Sequence, residues 1–240
     1  MPQTVIVLVT SLDGGVGKTT LTAAMAYHAA VSRRQPVLLI DADWEKAELS
    51  QLFRAEYAPG WLSPFLKGEE PTVYKIRDGL FLIPGYDAAE AYQLYDFQIS
   101  ELERALEAWV ENMPAFTASR GLPPATIIDT TPTLRLSFLT RLKEKGVKII
   151  FVADVRATGR VSDVKAEHYA AYFKLADAVV VNNTSFFTRN TAPYTIRRIS
   201  TPKDLHWEAV AKALLKNRHN RKTVEALLDK VYPASLLGQA

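Results

Sequence analysis

Three features of this 240-residue chain predict an α/β fold: a three-layer, doubly wound, mostly parallel sheet with helices on both faces. Short apolar runs alternate with segments of helical period, the order expected of β-α-β units. The runs are continuously apolar, as strands become when helices bury both of their faces. A glycine-rich turn joins the first run to the first helix, and such turns lie on the carboxyl rim of open α/β sheets.

The β-branched run at residues 5–9 is the first strand, and the alanine- and leucine-rich segment 21–32 is the first helix. Residues 37–40 (Val-Leu-Leu-Ile) form the second strand and run into Asp41-Ala42-Asp43. Further strands are expected at 80–83, 126–128, 147–152 and 178–181, with a last one at 194–199. Helical spacing of apolar residues predicts helices at 100–112, 134–144 and 162–175, the last capped by Ser162 or Asp163. Two more are expected near 204–217 and 221–232. The aromatic and acidic segment 86–97 (Tyr86, Tyr92, Tyr95, Phe97) reads as cover for the sheet edge or as a partner or dimer surface.

With 48% hydrophobic and 23% charged residues, the chain fits one domain over residues 1–240, its C-terminal helices at about 203–232. No Gly/Ser/Pro-rich linker, internal repeat or charge block divides it. The net charge of +3 permits an anionic partner without requiring one. There is no cysteine, which excludes disulfides, iron–sulfur clusters and thiolate zinc sites. A strand that begins by Thr4 leaves no room for a signal peptide, and no apolar run approaches the ~20 residues of a membrane span. A cytoplasmic location and no membrane partner are expected.

The turn itself reads Thr10-Ser11-Leu12-Asp13-Gly14-Gly15-Val16-Gly17-Lys18-Thr19-Thr20. Strand, glycine-rich turn, Lys-Thr and helix is an arrangement that cradles a nucleotide's phosphates. Glycines let backbone N–H groups converge on the anion, and the helix N-terminus adds its positive end. Lys18 brings a point charge to the β- and γ-phosphates, and the Thr19 hydroxyl is placed to ligate Mg²⁺. An ordinary P-loop, G-x-x-x-x-G-K-[ST], would need glycine where Leu12 stands.

The pattern G-G-x-G-K-T-T instead resembles the deviant Walker A loop, K-G-G-x-G-K-T-[TS], of the ParA/MinD family of dimerising ATPases. The family's signature lysine, before the glycine pair, is Asp13 in this sequence. The resemblance implies a P-loop NTPase fold of the SIMIBI type, with Gly14, Gly15, Val16, Gly17, Lys18, Thr19 and Thr20 binding nucleotide. It also implies ATP and Mg²⁺ as cofactors and an ATP-dependent homodimer. Asp41-Ala42-Asp43 matches the family's second-strand D-x-D, which places Asp41 in the metal's outer shell and makes Asp43 the residue that orients the hydrolytic water. Lys18 and Asp43 are thus the catalytic candidates. Residues 127–132 (Ile-Ile-Asp-Thr-Thr-Pro) resemble the family's apolar strand ending in D-T-P-P, so Asp129 joins Thr19 and Asp41 as a metal candidate, and residues 130–135 form the γ-phosphate switch. The strand 179–181 ends in Asn182-Asn183; relatives read the adenine edge with an asparagine here, and Asn182, nearer the strand end, is the candidate. No guanine-type T-K-x-D motif is present, so ATP is expected over GTP.

Asp13 leaves three readings open. Another cation (Arg135, Arg156 or Arg160) takes over the lysine's work, or hydrolysis is very slow and the protein is a nucleotide-gated binder, or Asp13 turns outward and forms a salt bridge elsewhere. At 4 Å from a phosphate charge the carboxylate would cost ~1–4 kcal/mol.

Residues 203–222 carry Lys203, Lys212, Lys216, Arg218, Arg221 and Lys222 against Asp204 and Glu208. Lys212 and Lys216 fall on one helical face, with Val210 and Leu214 on another; Arg189, Arg197, Arg198 and His219 could extend the patch. Phosphate contacts from Lys212, Lys216, Arg218, Arg221 and Lys222 would give non-specific, salt-sensitive DNA binding, as in ParA-type relatives, with a nucleoid location. The amphipathic tail 223–232, with Glu225 and Asp229 diluting its basic side and Pro233 ending it, reads as packed on the domain. The resemblance implies a ParA-like ATPase that positions DNA or another cargo with an activating partner protein. A MinD-like membrane-surface regulator and a nucleotide-binding scaffold with negligible turnover are the alternatives.

Overall fold

The computed structural model describes residues 4–132, 134–154, 163–184, 192–200 and 202–232. Arg156, Arg160, Ser162, Arg189 and Pro233 lie outside them. Eight strands form one sheet: β1 (Val5–Thr10), β2 (Val37–Ala42), β3 (Tyr74–Arg77), β4 (Leu80–Ile83), β5 (Ala125–Thr130), β6 (Lys148–Asp154), β7 (Ala178–Thr184) and β8 (Tyr194–Arg197). Their spatial order is β3-β4-β2-β5-β1-β6-β7-β8. Every pairing is parallel except β3 with β4.

The helices are α1 (Lys18–Tyr27), continued by a π-helical turn at His28–Ser32, then α2 (Glu48–Leu52), α3 (Ser63–Leu66), α4 (Tyr86–Leu94) and α5 (Ile99–Ser119). They continue with α6 (Leu136–Glu144), α7 (Asp163–Leu175), α8 (Trp207–Lys216) and α9 (Arg218–Val231). No helix among the described residues is long and apolar enough to cross a membrane.

The central strands β1, β2 and β5 bury both faces, and neighbouring residues divide between two cores. Val5, Val7 and Val9 of β1 pack with Ala24, Met25, Leu214 and Leu227 of α1, α8 and α9. Ile6 and Leu8 pack on the opposite side with Leu106, Leu139 and Tyr172 of α5, α6 and α7. Alternating side-chain direction along the strand makes this division.

Several boundaries differ from the expectations above. Helix α1 starts at Lys18, because Gly17 in the left-handed region (φ 92°) turns the chain straight into the helix. Helix α5 runs on to Ser119 through Pro114. Met113 and Thr117 stay buried there, and this packing offsets the ~3 kcal/mol cost of an interior proline. The edge strand β3 escapes the apolar-run criterion because its residues alternate between half-buried and exposed. The segment after Gly85 is helical at α4, and Thr130 belongs to β5, with its hydroxyl on the Val9 carbonyl (2.9 Å), rather than to the following loop.

Candidate nucleotide site

Parallel pairing brings the carboxyl ends of β1, β2, β5, β6 and β7 to one rim. The register sets Asp41 of β2 directly beside Asp129 of β5, and Val9 of β1 on the other side of Asp129. Residues 11–17 therefore leave β1 next to two carboxylates contributed by strands distant in sequence.

Within the loop, Gly14 and Gly15 are exposed, whereas Val16 is buried and anchors the turn. A Cβ on Gly17 would lie 2.2 Å from Asn182 Nδ2, so only glycine admits this close approach. Asn182 Nδ2 donates to the Val16 carbonyl (2.7 Å), and Asn182 Oδ1 accepts from the Asn183 N–H (2.8 Å). The end of β7 is thus pinned to the phosphate-type loop. Asn183, in the left-handed region at φ 59°, donates from Nδ2 to Asp154 (2.7 Å).

Lys18 is buried at the start of α1. Its ammonium pulls down the pKa values of Asp43 and Asp129, which burial raises more strongly. Asp129 is inaccessible to solvent and accepts hydrogen bonds from Thr19 (Oγ1 to Oδ2, 2.7 Å) and Thr22 (Oγ1 to Oδ1, 3.1 Å). Desolvation pushes its carboxyl up to about 7. Asp41, equally buried, accepts from the Ser50 N–H and hydroxyl (both 2.6 Å) and from the Asp43 N–H (3.2 Å). Desolvation raises it to about 8, against these hydrogen bonds and aided by the charge of Asp129. Asp43 Oδ1 accepts from the Glu45 N–H (3.2 Å), and burial raises its pKa as well.

These carboxyls resist ionisation because they are buried, which the Lys18 charge offsets only in part at Asp43 and Asp129, so a divalent ion would relieve a charge that burial penalises. Thr19 Oγ1, Asp129 and, at 3.4 Å from Thr19, Glu48 are hard oxygen donors of the kind Mg²⁺ takes. Among the described residues no three His, Asp or Glu side chains converge as a metal site by themselves. An ion here would draw further ligands from phosphates and water, the usual Mg²⁺ arrangement. The Thr131 hydroxyl, just past β5, is buried without a hydrogen-bond partner.

Beside the loop opens a cavity of about 340 Å³. Gly15, Gly17 and Thr20 form one wall, Asn182 and Asn183 the back, and Ile196, Arg197, Arg198, Leu205, Val210 and Leu214 the rest. Apolar walls with a few amides and cations suit a nucleoside. Neither the spacing nor the composition pointed to the segment after β8 as part of this wall. Thr22 was visible in principle, one helical turn after Thr19; Ser50 and Gly85 carried no local signal.

The hydroxyl of buried Tyr169, on α7, donates to the Asp13 carboxylate, and Ser11 Oγ donates to the Asp13 carbonyl (2.7 Å). Burial, then the bond to Asp13, raises the Tyr169 pKa. Arg135 is held by the fully buried Glu103 through its guanidinium and backbone N–H. Tyr172 donates to the Leu134 carbonyl (2.8 Å), so α5 and α7 both grip the segment after β5.

Lys212, Lys216, Arg218, Arg221 and Lys222 are all exposed. Two of them are paired on their own helices, Lys212 with Glu208 (2.8 Å) and Arg221 with Glu225 (3.9 Å). His219 does not extend this face: its ring contacts the Thr195 hydroxyl (2.8 Å) and carbonyl (3.0 Å). Arg197 and Arg198 line the cavity. On α9, Val224, Leu227, Leu228 and Val231 are buried in the core, as expected for a tail packed on the domain.

Residues 7–183 match the family model of the CobQ/CobB/MinD/ParA nucleotide binding domain. An uncharacterized ATP-binding protein of Methanocaldococcus jannaschii is 33% identical over 97 residues, which are 39% of this chain and 36% of that protein. The match thus spans about a third of the length of that curated relative. Among solved structures, a ParA family ATPase from Chlorobium tepidum aligns with a TM-score of 0.60 at 13% identity, over 94% of this chain and 99% of that one. The septum site-determining protein MinD of Pyrococcus horikoshii, complexed with Mg-ADP, aligns with a TM-score of 0.59 at 16% identity, over 98% and 100% of the two chains. At these identities the structural likeness establishes the fold.

Proposed function

We propose, from the premise that this chain belongs to the CobQ/CobB/MinD/ParA family of nucleotide-binding domains, that it is a ParA-like ATPase. It binds ATP with Mg²⁺, dimerises in the ATP state and hydrolyses slowly until a partner protein stimulates it. The observation that carries this reading is the buried Lys18 between a glycine-rich loop and the carboxylates Asp43 and Asp129, beside a cavity of nucleoside size.

Backbone N–H groups of residues 14–20 hold the phosphates, and Lys18 neutralises charge that develops on the γ-phosphoryl group as water attacks in line. Thr19, Asp129 and, through the outer shell, Asp41 would hold Mg²⁺, which would neutralise charge on the phosphates. Asp43 orients the attacking water. Asn182, already fixed on the loop, takes the adenine edge. The exposed basic side chains of α8 and α9 (Lys212, Lys216, Arg218, Arg221, Lys222) contact DNA phosphates without reading bases. The output is partition or positioning of DNA or another cargo.

A second reading, a nucleotide-gated scaffold with negligible turnover, is favoured by one observation. Asp13 stands where the resembling loops have lysine, and Arg135, a candidate substitute, is held by Glu103. Calorimetry on Lys18→Ala tests the site: ATP affinity is expected to vanish, and retained affinity would remove the loop from nucleotide binding. Phosphate release by the unmodified protein, with and without DNA, then separates ATPase from scaffold.

A further inference from the structure

Away from the nucleotide site lies a larger cavity, of about 570 Å³, between the segment after α2 and helix α4. We propose that this cavity binds an organic cation, an alkylammonium or guanidinium group, against Tyr57, Tyr95, Phe97 and Glu90.

Its walls are aromatic and its charge is negative. Tyr57, Tyr95 and Phe97 line it together with Glu69, Asp87 and Glu90, against Lys67 as the lining's cation. Glu90 is the centre of the arrangement. One carboxylate oxygen accepts from the Tyr57 hydroxyl and the other from the Tyr95 hydroxyl (3.4 Å). The two rings are thereby drawn to one anion, and Tyr57 is further held by stacking on Tyr86 (centroids 5.9 Å apart, 22° between planes). The bond to Glu90, then burial, raises Tyr57 to about 12, so the phenol stays neutral and keeps its proton as a donor. Asp87, at the buried edge, is occupied by the N–H groups of Gly60, Ser63 and Ala88 and the Ser63 hydroxyl. It adds negative potential without needing a ligand of its own.

Aromatic rings and a carboxylate lining one cavity attract the same species, a cation with a soft or alkylated surface. Anionic ligands are repelled. An uncharged apolar ligand displaces water from Glu90 and brings no counter-charge to it. The surroundings agree. Between Glu56 and Glu101 the sequence carries eight Asp and Glu against three Lys and Arg, in a chain whose net charge is +3. Tyr57 and Tyr95 are 66% and 64% exposed, so both rings are open to a ligand from solvent. The volume is that of a small-molecule site, and an arginine or lysine side chain of another protein presents the same chemistry.

The test uses the full-length protein without nucleotide, with 3-fluorotyrosine in place of its tyrosines and the Tyr57 and Tyr95 signals assigned by single Phe substitutions. Choline, spermidine and Nα-acetyl-arginine methylamide are titrated in parallel with 3,3-dimethylbutan-1-ol, the neutral isostere of choline. The expected result is saturable movement of the Tyr57 and Tyr95 signals by at least one cation, with the isostere weaker by roughly 2- to 30-fold. Glu90→Gln should weaken the cations, and Tyr95→Phe, which keeps the ring, should retain most of the binding. Tighter binding of the capped arginine identifies a protein side chain as the source, and tighter binding of choline or spermidine a free amine. Equal binding of the isostere, unchanged cation binding in Glu90→Gln, or no movement of these two signals at tens of millimolar ligand would overturn the proposal.

Discussion

The buried carboxyls of the site make a pH prediction that can be worked through. Folded Asp129 and Asp41 hold their protons up to about 7 and about 8, whereas an unfolded chain releases them near 3.8. Between pH 6.5 and 8 the native state therefore binds more protons than the unfolded state, and stability must fall as pH rises. Over that window the two coupled carboxyls together lose stabilisation on the order of 2 kcal/mol. The window is chosen because His28, whose pKa burial and Arg33 lower, acts in the opposite sense mainly at lower pH, its effect fading above about 7. Urea unfolding without nucleotide or Mg²⁺ at pH 6.5, 7, 7.5 and 8 measures the slope. Asp129→Asn, whose amide can still pair with the Thr19 and Thr22 hydroxyls, should flatten it, by removing one titrating carboxyl and the charge that helps to raise Asp41. Mg²⁺-ATP should restore stability most at pH 8, where the carboxylates are charged. A flat or rising profile from 6.5 to 8 would show that these groups ionise normally and that no cation is needed to relieve them.

Gly85→Ala should cost about 1–3 kcal/mol of stability in the same assay, since its Cβ would lie 2.2 Å from the Asp41 carbonyl oxygen; wild-type stability would mean that α4 is free to move off β2. In Asp43→Ala, phosphate release should fall roughly 100-fold or more while ATP still binds, and unchanged turnover takes Asp43 out of the reaction. Lys212→Glu with Lys216→Glu should weaken DNA binding and lower the salt slope by about 2; an unaltered slope removes this face from DNA contact.

The local pattern around β1 was legible because it depends on neighbours in sequence. A β-branched run favours a strand, a left-handed position demands Gly17, and Lys-Thr follows at the helix start. The ends of β2, β5 and β7 were readable for the same reason, as apolar runs stopping at Asp41, Asp129 and Asn182. Edge strand β3 was not, since its residues alternate between half-buried and exposed, nor were the short helices α2 and α3, whose four or five residues carry too little helical periodicity.

Sequence alone thus determined the fold class, the glycine-rich loop and the residue types at the strand ends, all consequences of backbone permission and periodicity within a few residues. Tertiary structure decided which of those ends meet. Asp41 lies beside Asp129 because β5 inserts between β2 and β1, and Ser50 and Gly85 then close over Asp41. It likewise joined Tyr169 to Asp13, Glu103 to Arg135, and Tyr57 and Tyr95 to Glu90. Apart from Tyr95 and Glu90, these partners stand 32 to 156 positions apart along the chain. Strand order and helix packing, which follow from burial summed over the sheet, bring such residues together, and no short stretch of sequence encodes that sum.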